Sequence, residues 1–157
     1  MREAQIEATP AERWGEGLVA VQAGEPVRVA ARLESVHEGI LVTAEVDTRY
    51  TGVCGRCLTD IAAPVEVEFQ ELFAYPGEEE SDFEVQDNHV DLETPVRDTI
   101  VLSLPFQPVC SEDCPGLDPE TGERKDEGSG IQEDADTDPR WAALRDVSFG
   151  ADAEPRE

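Results

Sequence analysis

Several residue types are scarce in this chain of 157 residues, and each shortage narrows the possible classes of protein. Aromatic residues make up 6% of the sequence, which predicts a modest hydrophobic core. No apolar run approaches the roughly 20 residues that a transmembrane helix needs. The charged N-terminus lacks the apolar stretch of a signal peptide. We therefore expect a cytoplasmic protein of about one domain.

Basic residues and histidines are also few. The chain has 12 basic residues against 37 acidic ones and a net charge of -25, most of it in residues 76–157. Such a field repels nucleic-acid phosphates and anionic lipid, and it suits a basic protein partner or simply keeps the chain soluble. His37 and His89 are the only histidines, and both are expected at the surface. No Ser-His-Asp order or Gly-rich phosphate loop stands out, so we expect no enzymatic activity.

The four cysteines come in two short-spaced pairs. Cys54 and Cys57 are separated by two residues, and Cys110 and Cys114 by three. Zinc binds four thiolates in a tetrahedron, and this spacing lets both sulfur atoms of a pair point the same way. Because cytoplasmic thiols stay reduced, we predict a structural zinc site, which with four cysteine ligands has no open position for catalysis. The alternatives are free thiols, a redox pair at Cys54 and Cys57, and a disulfide framework.

Alternation of apolar and polar residues predicts three strands, over residues 27–33, 40–47 and 65–70. Glu38 and Gly39 offer a tight turn between the first two, which indicates a hairpin. The first cysteine pair lies between the second and third strands and is therefore expected on a turn. Residues 1–17 are expected to be irregular, with Trp14 as an anchor.

A helix is predicted over residues 95–104, after an acidic loop at 76–86. Thr94 is placed to cap it and Pro95 to occupy its first position, where a missing N–H costs nothing. Pro105 ends it. Its apolar face is formed by residues spaced four apart, namely Leu92, Val96, Ile100 and Leu104.

The last part of the chain is strongly acidic. Residues 118–137 carry eight acids and are predicted to be a disordered linker after a single domain at 18–117. A short helix is predicted over 138–147, which could dock on the domain or on a partner, with docking on the domain preferred, and residues 148–157 are predicted to form a disordered tail. We therefore predict an α+β fold with an antiparallel sheet, open or barrel-like, one main helix and this short C-terminal helix.

Several short motifs stand in a set order along residues 17–147. They are Ser35-Val36-His37-Glu38-Gly39-Ile40, Cys54-Gly55-Arg56-Cys57-Leu58, Val90-Asp91-Leu92, Leu104-Pro105-Phe106-Gln107-Pro108-Val109-Cys110, Asp113-Cys114-Pro115-Gly116-Leu117 and Asp138-Pro139-Arg140-Trp141. In order and spacing they resemble the YceD family of bacteria and plastids, which is named for the accumulation of large-subunit ribosomal RNA.

The resemblance implies a non-enzymatic accessory role in the synthesis, processing or stability of large-subunit (23S) ribosomal RNA. A basic ribosomal protein or maturation factor is the expected partner, and contact with rRNA is expected to be indirect or confined to a patch holding Arg49 and Arg56. Asp118 and Thr121 stand where relatives are expected to carry two further cysteines, which leaves four thiolates for a metal. The alternatives are a thiol oxidoreductase using Cys54 and Cys57, and a structural zinc protein unrelated to the ribosome.

Overall fold

The computed structural model describes residues 1–77 and 82–125. Within them one sheet has the strand order β1-β3-β4-β5-β6, and β2 pairs with the far half of β4. One helix, α1, follows the sheet, which confirms the predicted α+β class. The elements are β1 (Arg2–Ala8), β2 (Val19–Ala20), β3 (Val27–Ser35), β4 (Gly39–Val53), β5 (Asp60–Ala74), β6 (Phe83–Glu84) and α1 (Glu93–Ser103).

The three predicted strands are confirmed as β3, β4 and β5, although β4 and β5 are much longer than predicted. They pair antiparallel over 15 residues each, from Gly39 opposite Ala74 to Val53 opposite Asp60. The apolar residues of the alternation share one face, where side chains from β3 and β4 are buried against each other. This long hairpin carries its connecting turn away from the β3–β4 turn, to the opposite end of the sheet.

The predicted turn at Glu38 and Gly39 is present. The N–H of Val36 donates to the carbonyl oxygen of Gly39 over 2.9 Å and closes the hairpin. A Cβ atom at Gly39 would overlap the carbonyl oxygen of Phe73 on β5. Glycine is therefore required here because β4 and β5 approach so closely.

The sheet is open and mixed, which corrects the prediction of an antiparallel, barrel-like sheet. β6 pairs with β5 in parallel, with Phe73 opposite Phe83 and their ring centroids 5.3 Å apart. With β6 only two residues long and β1 at the other edge, the described strands leave the sheet unclosed, whereas a barrel pairs its edges.

Residues 1–17, predicted to be irregular, contain the edge strand β1. Ala4, Ile6 and Ala8 lie opposite buried apolar residues of β3, although Ile6 and Ala8 are themselves exposed. Alanine carries little hydrophobic surface, so the alternation in β1 is weak in the sequence although its pairing with β3 is complete. Trp14 is buried and pairs with Val21, as expected of an anchor.

Helix α1 begins two residues earlier than predicted. Leu92 is the N-cap residue, and a carboxylate oxygen of Asp91 accepts the N–H of Glu93 over 3.0 Å. The prediction that Thr94 caps the helix was therefore wrong. Pro95 lies inside the first turn, where no N–H has an intrahelical acceptor. The predicted apolar face is confirmed by the burial of Val96 and Ile100, and the helix ends before Pro105.

The predicted linker is ordered at its start. Residues 117–125 form a small hairpin, in which Leu117 pairs with Arg124 and the N–H of Lys125 donates to Gly116. The rest of the linker, the predicted helix at 138–147, the tail and part of the acidic loop lie outside the described residues. Among the residues that are described, no helix has the length and hydropathy needed to cross a membrane.

Candidate metal centre

The first cysteine pair lies on the turn between β4 and β5, as predicted. The N–H of Cys54 donates to the carbonyl of Thr59 over 2.8 Å, and the N–H of Leu58 donates to the carbonyl of Cys54 over 3.0 Å. Leu58 has a φ of 58°, a left-handed conformation that reverses the chain after Cys57. We call residues 54–59 the first knuckle.

The second pair follows α1 and the segment 105–109. The N–H of Cys114 donates to the carbonyl of Ser111 over 3.2 Å, which closes the turn that separates the two cysteines. Gly116 has a φ of 79°, so the chain turns again directly after Cys114. We call residues 110–116 the second knuckle.

Hydrogen bonds join the two knuckles. The N–H of Gly55 donates to the carbonyl of Pro108 over 2.8 Å. The Nη1 group of Arg56 donates to the carbonyls of Glu112 and Cys114, over 3.0 and 3.2 Å. The long β4–β5 hairpin and the return of the chain after α1 therefore place two loops that are distant in sequence side by side.

The knuckles bring all four sulfur atoms within 4.8 Å of one another. Cys54 Sγ lies 3.8 Å from Cys114 Sγ, and Cys57 Sγ lies 3.6 Å from Cys110 Sγ. Four sulfur atoms at the zinc–sulfur bond length of about 2.3 Å from a tetrahedral centre are about 3.8 Å apart. The cysteine cluster therefore has the size and donor set of a tetrahedral metal site, and it could bind a metal.

The pKa values in the cluster diverge. The N–H of Cys57, helped by those of Arg56 and Cys110, lowers the pKa of Cys54 to about 6 against the opposing effect of burial. The hydroxyl of Thr59 lowers the pKa of Cys57. At Cys114 the N–H of Gly116 acts to lower the pKa, but burial and the three neighbouring sulfur atoms raise it to about 12.

This divergence follows from crowding. Hydrogen bonds stabilise the first thiolates, but adding further negative charge to sulfur atoms in contact is unfavourable. A divalent cation at the centre would remove that cost, because metal ligation deprotonates the coordinating thiols. Cys54, Cys57 and Cys114 are buried and Cys110 is exposed, so the cluster lies near the surface with one sulfur atom accessible.

The predicted binding residues occupy different positions. Arg56 is part of the first knuckle, and its guanidinium donates to carbonyls of the second. Arg49 is exposed on β4 and makes no side-chain hydrogen bond with the residues that the structure describes. His37 and His89 are exposed, as predicted, and neither belongs to the cysteine cluster.

The two positions where further cysteines were expected form a turn instead. A carboxylate oxygen of Asp118 accepts the N–H groups of Glu120 and Thr121, over 2.9 and 3.0 Å. These bonds, that of Thr121 first, lower the pKa of Asp118. The hydroxyl of Thr121 accepts the N–H of Glu123 over 3.2 Å. The loop is thus closed by side-chain oxygen atoms and needs no metal.

Sequence reasoning missed two features, one at the cysteine cluster and one on the sheet. The first is Thr59, whose hydroxyl lies 3.2 Å from Cys57 Sγ; a hydroxyl two residues after a cysteine was the available signal. The second is an acidic quartet on the outer face of the sheet, visible only once the strand register is known. It pairs like charges across β4 and β5, with Glu45 opposite Glu68 and Asp47 opposite Glu66.

The fold and the cluster together define a class of protein, an α+β domain whose sheet and post-helical segment converge on four cysteines. The chain matches the sequence profile of the family described as "Large ribosomal RNA subunit accumulation protein YceD" over residues 42–148. It therefore belongs to the YceD family, as its motifs indicated. No solved structure matches it.

Several similar proteins from bacteria are uncharacterized. One from Mycobacterium tuberculosis is 42% identical over 139 residues, which cover 84% of this chain and 67% of the relative. One from Mycobacterium leprae is 38% identical over 142 residues, 86% of this chain and 65% of the relative. The uncharacterized protein YlbN of Bacillus subtilis is 28% identical over 124 residues, 76% and 72% of the two chains. The chain thus spans about two thirds of its mycobacterial relatives.

Proposed function

We propose that this protein is a non-enzymatic accessory factor for large-subunit (23S) ribosomal RNA, acting in its synthesis, processing or stability. Membership of a family described by the accumulation of that RNA is the observation that carries this function. The four sulfur atoms support a structural rather than catalytic role for the metal, because a centre with four cysteine ligands leaves no position for substrate.

The direct partner is a basic protein of ribosome assembly, since the charge of the chain disfavours RNA. The net charge is -25, and the acidic quartet lies exposed on the outer face of the sheet. Such a surface attracts Lys- and Arg-rich segments and repels phosphate. Any rRNA contact is confined to exposed arginines. Arg49 is the more available of the two predicted arginines, because Arg56 already donates hydrogen bonds to the second knuckle.

Deletion of the gene tests the function. We expect a lower ratio of large to small ribosomal subunits and an accumulation of large-subunit rRNA precursors, both restored by the intact gene. Wild-type levels of 23S rRNA and of its precursors in the deletion strain would refute the proposal.

A pull-down at low salt identifies the partner, and we expect basic ribosomal proteins or maturation factors that dissociate as salt rises. Recovery of proteins unconnected with the ribosome would favour the alternative of an unrelated zinc protein.

The metal we propose is zinc, held by Cys54, Cys57, Cys110 and Cys114. Protein purified without a polyhistidine tag should contain about one zinc per chain. Cys57→Ser should release it and lower the melting temperature, because the free energy of metal binding is also free energy of folding. Leu58→Ser, at an exposed neighbour, is the control and should retain the metal. Zinc-free protein with an unchanged melting temperature would overturn the assignment.

A thiol oxidoreductase is the second candidate, favoured by the lowered pKa of Cys54. Against it, Cys54 has 0% exposure and lies on a turn between two strands rather than at the start of a helix. Titration of the thiolates between pH 5 and 9 in protein as purified separates the two functions. Without any accessible thiol of pKa well below about 8, oxidoreductase activity has no nucleophile.

A further inference from the structure

A large apolar groove lies beside the first knuckle. It has a volume of about 940 Å³ and runs between the loop at residues 15–19, the end of α1 and the segment 104–109, with Gly55 and Arg56 at one side. We call it the knuckle groove. Its volume is sufficient for several side chains of a peptide segment.

The knuckle groove gathers most of the exposed apolar side chains of the described residues. Seven large hydrophobic side chains are exposed among the described residues, and four of these seven line the groove. Phe106 is 92% exposed and Leu102 86%, while the other two are Leu18 and Val109. A contiguous patch of this kind marks an interaction surface, whereas a single exposed apolar residue needs no explanation.

The charges around the groove favour arginines beside the apolar residues of an occupant. Glu16 lines it, and no described residue pairs with the carboxylate of Glu16. The cation at the groove, Arg56, already donates to two carbonyls of the second knuckle. The second knuckle also carries Glu112 and Asp113, both exposed. An apolar segment flanked by positive charge would complement this surface.

One segment of this same chain has that chemistry. Residues 138–147 contain Trp141 and Leu144 at helical spacing, directly flanked by Arg140 and Arg145. Their two acids and two arginines cancel, whereas residues 126–137 have five acids and no base. The match to the family profile extends to residue 148, so it includes this segment.

The segment can reach the groove. Lys125, the last residue described, donates its N–H to the carbonyl of Gly116. A Cβ atom at Gly116 would lie 3.4 Å from the carbonyl oxygen of Arg56, which is a groove residue. The 12 residues between Lys125 and Asp138 can span about 40 Å. The tether formed by residues 126–137 therefore starts close to the groove and is longer than the distance that it must span.

We propose that residues 138–147 cover the knuckle groove of the same molecule, with Trp141 and Leu144 packed against Leu102 and Phe106. A short tether gives the segment an effective concentration in the millimolar range, which favours it over a separate molecule of moderate affinity. A second apolar groove of about 480 Å³ lies between β1, β3 and the start of α1. It is smaller, and its walls include the core residues Val27, Val29 and Ala31, whereas the side chains of the knuckle groove are largely uncovered.

Nuclear Overhauser contacts in the full chain test the docking. We expect contacts from the indole of Trp141 to the methyl groups of Leu102 and the ring of Phe106. Trp14 is the only other tryptophan, so Trp141→Phe assigns the indole signal. Contacts to Ile6 in the second groove, or contacts seen only between differently labelled molecules, would overturn the proposal. Absence of any contact between Trp141 and the domain would also overturn it, leaving the groove for a partner.

Limited trypsin digestion gives an independent readout at Arg140 and Arg145. In Phe106→Ser we expect cleavage there at least about tenfold faster, because cleavage follows the undocked population and tenfold corresponds to about 1.4 kcal/mol. Leu102→Ser should act alike. Ile6→Ser and Leu58→Ser remove exposed apolar residues outside the groove and should leave the rate unchanged. Equal rates in wild type and both groove variants would refute the docking.

Discussion

Arg56 is the residue that connects the two cysteine loops through its side chain. It stands between Cys54 and Cys57, and its guanidinium reaches the carbonyls of Glu112 and Cys114. Its backbone N–H lies 3.4 Å from Cys54 Sγ, so the same residue also stabilises a thiolate. Arg56, which sequence reasoning assigned to an RNA-binding patch, is therefore also a structural link within the cysteine cluster.

Arg56→Lys should destabilise the protein by about 0.5–1 kcal/mol. Both bonds come from Nη1, which stands one bond farther from the backbone than the ammonium nitrogen of lysine, so lysine would not reach both carbonyls. A net hydrogen bond contributes about 0.5–1.5 kcal/mol before allowance for solvent exposure. Arg49→Lys is the matched control, because Arg49 has no side-chain hydrogen bond among the described residues. Urea denaturation of both variants measures the difference. Equal stabilities would mean that the Arg56 bonds contribute nothing.

Asp118→Ala should open the hairpin at 117–125, whereas Asp118→Asn should largely preserve it by keeping the acceptor oxygen. Faster amide hydrogen exchange at Glu120 and Thr121 reports the opening, with Asp113→Ala as control.

The lowered pKa of Asp118 determines how the stability of the hairpin depends on pH. Its stabilising effect is present above the ordinary carboxyl pKa of about 3.9 and is lost as pH falls through the lowered value. Unchanged exchange in the alanine variant would contradict this role.

At the scale of elements, the β4–β5 hairpin determines where the metal centre forms. Its 15 paired residues per strand place the first knuckle at the end of the sheet where the segment after α1 returns. Alternation predicted the core of both strands, because Val, Ile and Phe recur at every second position there. Their far ends were not predictable, since the pattern weakens beyond Asp47 and pairing alone continues the strands.

Within the acidic quartet the pair Glu45 and Glu68 opposes the stability of these strands. Asp47, by contrast, also lies opposite Arg28 of β3. Like charges directly opposite each other on a sheet are destabilising, by the same 0.2–1 kcal/mol that opposite charges contribute. Glu45 faces Glu68 in this way, with both side chains exposed. Repulsion between these acidic side chains lowers stability, and a binding function would explain why they are present. The proposed basic partner provides such a function.

Glu68→Arg should therefore stabilise the fold by about 0.2–1 kcal/mol at low salt and weaken binding of the basic partner. The gain should shrink above about 0.1 M salt, where the Debye length falls below 10 Å. Glu71→Arg makes the same change of charge opposite Val42 and is the control for net charge. Thermal melting at two salt concentrations and the low-salt pull-down measure the two effects. A stability loss in Glu68→Arg alone would show that the quartet is not repulsive.

At the scale of the whole molecule, the cysteines bring together the sheet and the segment after α1, which hydrogen bonds from Gly55 and Arg56 also connect. The sheet supplies Cys54 and Cys57, and the chain after α1 supplies Cys110 and Cys114. Spacing within each pair was enough to predict that the four cysteines lie together. How the fold brings the pairs together was not deducible from spacing, because it depends on hairpin length and on the direction of α1. The edge strands β1 and β6 were not predicted for a similar reason, because they are stabilised by pairing with a neighbouring strand rather than by an apolar pattern of their own.

Removal of the proposed zinc should consequently release the second knuckle and leave the sheet intact. With a chelator present, amide exchange should quicken at Gly55, whose hydrogen bond to Pro108 links the first knuckle to the segment before the second, and at Cys114, whose hydrogen bond to Ser111 closes the second knuckle. Exchange at Val42, Ala44 and Val46 should stay slow, because these buried residues are paired with β3 and β5 on both sides. Cys57→Ser should reproduce the pattern, and the chelator should then have no further effect. If the sheet and the knuckles lose protection together, the metal is part of the global folding unit. If neither responds, the four sulfur atoms hold no structural metal.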